Sequence, residues 1–222
     1  MISAFLFISA ACAWATQTRT ELVALPEASV RFEQNATDGD VEVVFEITGD
    51  DEGLVELMAT SPDGRTVIDF KAPDSSTLGI RQFQFESPEP RDVVALKAAY
   101  PEGVYEFSGK TSSGATLVGK STLSHRLPTP ATILQPAPEA EDVSLVIQGI
   151  TWGPVEGAAS YIVEIEQEEL NVNITALLPG SSYSFPLPKG FLSPGKEYEI
   201  GVGTVSGEGN ISFVETTFTT AK

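Results

Sequence analysis

Cysteine and histidine are almost missing from this 222-residue chain: it has one of each, Cys12 and His125. Cys12 lies in an apolar N-terminal stretch read below as an export signal, so the processed chain would carry no thiol. Disulfide staples, thiolate nucleophiles and cysteine metal sites are thereby excluded from the folded protein, whose stability must come from ordinary apolar cores. With one His and no Cys, a zinc or copper site would be nearly all carboxylate, a donor set those metals disfavour. A long apolar run is missing too. Ile2 to Ala11 falls well short of the ~20 residues a membrane span needs. Basic residues are scarce, 13 Lys and Arg against 31 Asp and Glu, for a net charge of −18. Up to Pro128 the chain has 10 basic and 19 acidic residues, and beyond it 3 and 12, so each part carries −9. Such a polyanion repels phosphate backbones and anionic lipid, which excludes nucleic acid and membrane surfaces as partners and favours a soluble monomer.

Met1 to Ala15 hold no charged residue, and the triplet Ala13-Trp14-Ala15 follows the apolar stretch. This is the pattern of a signal peptide, with cleavage leaving Thr16 as the new N-terminus. The absence of Lys or Arg before the apolar run leaves the true start codon open. Ser9-Ala10-Ala11-Cys12 offers a lipid anchor at Cys12 as the alternative, although Ser9 stands where an aliphatic residue is expected. An exported chain without disulfides fits a secreted or periplasmic bacterial protein. Asn35-Ala36-Thr37, Asn173-Ile174-Thr175 and Asn210-Ile211-Ser212 match the glycosylation pattern and are expected to be unused.

Period-2 alternation and turn residues recur every eight to twelve residues, and no stretch carries convincing helical periodicity, so the class is all-β. Strands are expected at Val41 to Ile47, Leu54 to Ala59, Val67 to Phe70, Arg81 to Phe85, Val93 to Ala98, Val104 to Lys110 and Thr116 to Ser124. Ser61-Pro62-Asp63-Gly64 supplies one hairpin reversal, because Pro presets φ and Asp-Gly permits the turn. Seven or so short strands make an Ig-like sandwich over residues 16–128. Leu127-Pro128-Thr129-Pro130 then reads as a short, proline-stiffened linker that holds two tandem β-sandwiches end to end. In the second part, residues 129–222, strands are expected at Leu145 to Trp152, Ser160 to Gln167, Tyr198 to Thr204 and Ile211 to Thr220.

The second part resembles a fibronectin type III domain. Trp152 with Pro154 matches the Trp of that family's second strand, and Tyr161-Ile162-Val163 its third. Leu192, Pro194, Gly195 and Tyr198 match the Leu-x-Pro-Gly-x-x-Tyr of its tyrosine corner. The resemblance implies a closed sandwich in which Trp152 fills a large core slot and the Tyr198 hydroxyl finds backbone nearby. The whole chain is similar, more loosely, to uncharacterised secreted bacterial proteins with a β-rich N-terminal region before a type III domain. That likeness implies architecture and export, and no activity.

Few residue groups point to chemistry. His125 stands at the domain boundary, and no Gly-x-Ser-x-Gly elbow exists for a Ser-His-acid relay, so His125 is expected to be structural. Carboxylate pairs are too frequent here for a glycosidase pair to be picked out. Asp38 and Asp40, with Asp50 and Asp51, lie on predicted turns flanking one strand and are the candidate calcium ligands, if the two turns converge at one end of the first sandwich. Tyr100 and Phe191 lie near turns and are the aromatics best placed for exposure to a glycan, although Phe191 precedes the corner Leu and is expected to cap the core. Ser206-Gly207-Glu208-Gly209-Asn210 occupies the position of the integrin-binding loop of some type III domains but lacks Arg-Gly-Asp.

The expected function is a non-enzymatic exported binding or spacer module whose partner is a protein or a glycan. A calcium- or glycan-binding module is the alternative, and a secreted hydrolase the second. No cofactor is required by any residue, and calcium is the one candidate.

Overall fold

The computed structural model describes residues 22–222 apart from 73, 75–77, 91 and 148. The signal segment, its cleavage site and Cys12 therefore lie outside the described residues. The first part forms β1 (Leu22–Ala24), β2 (Glu27–Asn35), β3 (Val41–Thr48), β4 (Glu56–Thr60), β5 (Thr66–Lys71), β6 (Gln82–Glu86), α1 (Val93–Ala99), β7 (Gly103–Lys110) and β8 (Thr116–Leu123). The second forms β9 (Ile133–Gln135), β10 (Ala140–Val143), β11 (Ile150–Trp152), β12 (Ser160–Gln167), β13 (Val172–Pro179), β14 (Ser184–Phe185), β15 (Glu197–Val205) and β16 (Ile211–Thr220).

Two separate apolar cores follow from the alternation. In β3, Val41, Val43, Phe45 and Ile47 turn inward with Val30 and Phe32 of β2, and they meet Leu57, Tyr105, Phe107 and Leu117 of the facing sheet. That sheet runs β1-β8-β7-β4-β5. The second core gathers Trp152, Tyr161, Val163, Ile165, Tyr198, Ile200, Val202 and Phe218, with the short sheet β14-β11-β9 over the longer β13-β12-β15-β16. All-β tandem sandwiches, expected from the pattern, are what the chain forms.

Two strand expectations are corrected. Val93 to Ala98 is not a strand but lies in α1, because Asp92 caps it: its Oδ1 accepts the N–H groups of Val94 and Ala95 at 3.0 and 3.2 Å. Ala95 to Ala99 are good helix formers, and Leu96 is driven into the core with Val93 packed partly buried against it. Among the described residues of Leu145 to Trp152, only Ile150–Trp152 is strand.

The sandwiches join through a short strand pairing: the last three residues of β2 pair in parallel with the first three of β16, through Ile211↔Glu33, Ser212↔Gln34 and Phe213↔Asn35, so the two strands overlap only at their ends. One sheet therefore runs across both, β13-β12-β15-β16-β2-β3-β6, with β10 also on β16. The outer edge of β16 is divided: its start takes β2, and its end takes β10 through Ala140↔Phe218 and Val143↔Thr220. Both edges are thus satisfied without exposing a row of unpaired backbone groups.

Polar side chains lock this seam. Asn210 is buried in the loop before β16. Its Oδ1 accepts the N–H of Phe32 at 2.8 Å, while its Nδ2 lies 2.9 Å from the carbonyls of both Ser124 and Arg126. The Ser212 hydroxyl donates to the carbonyl of Pro128 at 2.8 Å, and Ala36 N–H donates to the carbonyl of Phe213 at 2.8 Å. Burial of Asn210 leaves its glycosylation triplet out of reach in the folded chain.

Candidate functional site

Because residues alternate, the side of the long sheet away from both cores is built from the remaining positions of each strand. On β2 these include Arg31 and Glu33, on β3 Glu42, Val44 and Glu46, on β6 Gln84 and Glu86, on β12 Ile162 and Glu164, and on β16 Phe213 and Glu215. All line one groove of about 450 Å³ that crosses the seam. Glu33 stands directly opposite Glu42 in the β2–β3 register. On the other side of the seam, Glu164 and Glu215 flank Gly201 in one cross-strand row. A methyl on Gly201 would sit 3.6 Å from Cγ of Glu215 and 3.8 Å from Cβ of Glu164, so nothing but the two acids fills that row.

Like charges placed this way repel. Burial pushes the Glu42 carboxyl up to about 7, with the charges of Glu86, Glu33 and Glu89 adding to it. Burial likewise raises Glu164, helped by Glu215 and Glu33, and raises Glu199 beside Glu215 and Glu166. Arg31 is the one cation lining the groove among the described residues. It binds Glu33 at 2.9 Å and Glu46 at 2.8 Å, both in the first sandwich. The face is therefore a negative, partly dehydrated strip suited to holding protons or positive charge.

The four candidate calcium ligands do not come together, which corrects the expected convergence. Asp38 and Asp40 precede β3 while Asp50 and Asp51 follow it, and an eight-residue strand at ~3.3 Å per residue separates them by about 25 Å. Each turn is closed by its own carboxylate: Asp38 Oδ1 accepts Asp40 N–H, and Asp50 Oδ1 accepts Glu52 N–H, both at 3.0 Å. Asp51 faces Arg81 at 3.5 Å, and Asp40 alone of the four reaches the groove. Among the described residues no three His, Cys, Asp or Glu side chains form a metal-holding group.

The remaining candidates settle as follows. His125 is structural: its Nε2 lies 2.8 Å from the carbonyl of Tyr100 and its ring 5.0 Å from that of Phe32. Tyr100, expected near the surface, instead packs partly buried against the first core, 5.9 Å from Phe45. Phe191 caps the second core, 5.9 Å from Tyr198.

The tyrosine corner forms as the sequence implies. Tyr198 Oη accepts Ser193 N–H at 2.9 Å and donates to the carbonyl of Phe191 at 3.2 Å. Trp152 is buried 5.4 Å from Tyr161. A second corner of the same kind was missed in the sequence: Tyr105, fully buried near the start of β7, donates to the carbonyl of Pro101 at 3.2 Å. Pro101-x-Gly103-x-Tyr105 was its signal, with spacing shifted from Pro194-Gly195-x-x-Tyr198. Both tyrosines enter the strand that forms a hairpin with the last strand of its sandwich.

Strand order, buried Trp and corner together define the second sandwich as a fibronectin type III-like fold, set beside a first sandwich built on related lines. In structure the chain is similar to the FN1-FN3 domains of chicken CNTN1, at 13% identity and TM-score 0.29, covering 90% of this chain and 66% of that one. It is also similar to a two-domain fibronectin type-III segment from chicken tenascin, at 13% identity and TM-score 0.32, covering 87% and 98%. A third is the BSP domain of a biofilm associated protein, at 16% and 0.29, covering 90% and 30%. The chain thus spans less than two thirds of the length of some of these proteins. No protein-family profile and no curated protein sequence matches it. No helix among the described residues is long and apolar enough to cross a membrane.

Proposed function

We propose that the chain is a non-enzymatic exported module that works as a rigid spacer and presents the open face of its long sheet to a protein or glycan partner. The single observation that carries this reading is the pairing of β2 with β16, which turns two sandwiches into one continuous sheet. A flexible tether would leave the two faces independent. A shared sheet holds them in fixed register and makes a surface more extended than either sandwich offers. Charge complementarity on that surface favours a partner region rich in Lys and Arg.

The Glu33–Glu42 pair does not make the hydrolase reading preferable. Burial and the crowding of Glu86, Glu33 and Glu89 account for the raised Glu42 carboxyl, with no need of a paired acid and nucleophile. The calcium reading loses its geometric basis with the separation of the two acidic turns.

The test is heteronuclear relaxation of the protein from Thr16 to Lys222. Both sandwiches are expected to report one rotational correlation time. Two independent times would overturn the spacer reading.

A further inference from the structure

We propose that the seam between the two sandwiches is a pH-responsive joint, held most firmly in acid and loosened as the carboxylates crowding its outer face ionise. The seam is narrow, only three register pairs long. Both of its lips carry like charge. The first sandwich contributes Arg31 and Glu33 from β2, Asp40 from the turn, Glu42 and Glu46 from β3, and Glu86 and Glu89 from β6 and its exit. The second contributes Glu164 from β12 and Glu215 from β16.

Among the described residues no ion pair crosses the seam within the groove; outside it Arg126 pairs with Glu208 across the junction, and the Glu208 carboxyl, held below its ordinary value by Ser124 and Arg126, stays ionised over the pH range tested below. Both bonds of Arg31 are to acids of its own sandwich. Besides the Asn210 and Ser212 bonds that lock the seam, Asn35 Nδ2 donates to Oε2 of Glu215 at 2.6 Å, a bond that is stronger to an ionised acid. Glu164 is raised by burial first, then by Glu215 on its own sandwich and by Glu33 on the other. The cross-seam part of that rise is lost when the joint opens. A group that holds its proton more tightly in the closed joint than in the open one stabilises the joint while it is protonated. That contribution is lost as pH rises through the raised value.

The experiment is native-state hydrogen exchange on the protein from Thr16 to Lys222, corrected for intrinsic rates, between pH 5 and 8. The seam probes are the N–H groups of Ala36 and Phe32, with Val163 inside the second sandwich as reference. Protection at the seam is expected to fall roughly 1.5-fold to fivefold on going to pH 8, the range that partly exposed charge pairs contribute. Val163 should change less. Glu164→Gln should remove at least half of the fall, and Glu33→Gln serves the same purpose if that variant folds poorly. Asp69→Asn, an equal charge change on β5, should leave the fall intact. Seam protection independent of pH, an equal fall at Val163, or equal flattening by Asp69→Asn would overturn the proposal.

Discussion

The side-chain oxygen of Asn210 accepts the backbone N–H of Phe32 at 2.8 Å across 178 residues of sequence, at a point where both are buried. The same carboxamide donates to the carbonyls of Ser124 and Arg126. One residue thereby ties the loop before β16, strand β2 and the exit of the first sandwich.

Asn210→Ala is expected to destabilise the protein by about 1–3 kcal/mol, because it leaves the buried N–H of Phe32 and two part-buried carbonyls without partners. Urea unfolding checks this. A change within ~0.5 kcal/mol of the parent, the range of ordinary surface substitutions, would show that the lock contributes nothing.

Tyr198→Phe should cost about 1–2 kcal/mol and Tyr105→Phe less. Both rings stay buried in the variants. Loss of the Tyr198 hydroxyl strands the Ser193 N–H as well as the Phe191 carbonyl, whereas Tyr105 has one bond, to Pro101. Thermal unfolding of the two variants side by side would expose a reversed order.

Glu42 should titrate near 7 in the folded chain, read by carboxyl NMR. Its folded value lies above the 4.5 of an ordinary Glu. Its contribution to stability is therefore complete below about 4.5 and disappears as pH rises through 7. Glu42→Gln should flatten the pH profile of stability over that window. A midpoint at the ordinary value would show the groove to be fully hydrated.

Gly79→Ala should be severely destabilising, roughly 3 kcal/mol or more, as for other substitutions that force backbone apart. A Cβ there would lie 2.4 Å from the carbonyl carbon of Gly53 and 2.6 Å from the nitrogen of Leu54. Gly64→Ala has open space around it and strain only from its φ of +84°, so it should cost less by denaturant titration.

Where the fold was readable in the sequence, the signal was local. Trp152, Tyr161 and the run from Leu192 to Tyr198 specify their surroundings within a few residues. The alternation of Val43, Phe45 and Ile47 assigns one strand face without reference to the rest of the chain. β13 was missed although it pairs with β12 over eight residues. It is an edge strand with every second residue exposed and none fully buried, so its alternation is weak. α1 was misread because Val93 and Val94 suit a strand and the decisive event is a cap by Asp92. Of the groove, the abundance of acids was visible. Their sharing of one face was not, since it depends on which strands are neighbours.

By itself the sequence determined the all-β class, the two apolar cores and the corner that closes the second, because those rest on period-2 patterning and short turns. Tertiary structure alone decided how the sandwiches join. The proline-rich run near Pro128 suggests a stiff spacer, yet β2 and β16 meet through backbone hydrogen bonds, which leave little trace in side-chain identity. That pairing carries Glu33 to the lip opposite Glu164 and Glu215, and so makes one acidic face from acids that the sequence leaves scattered.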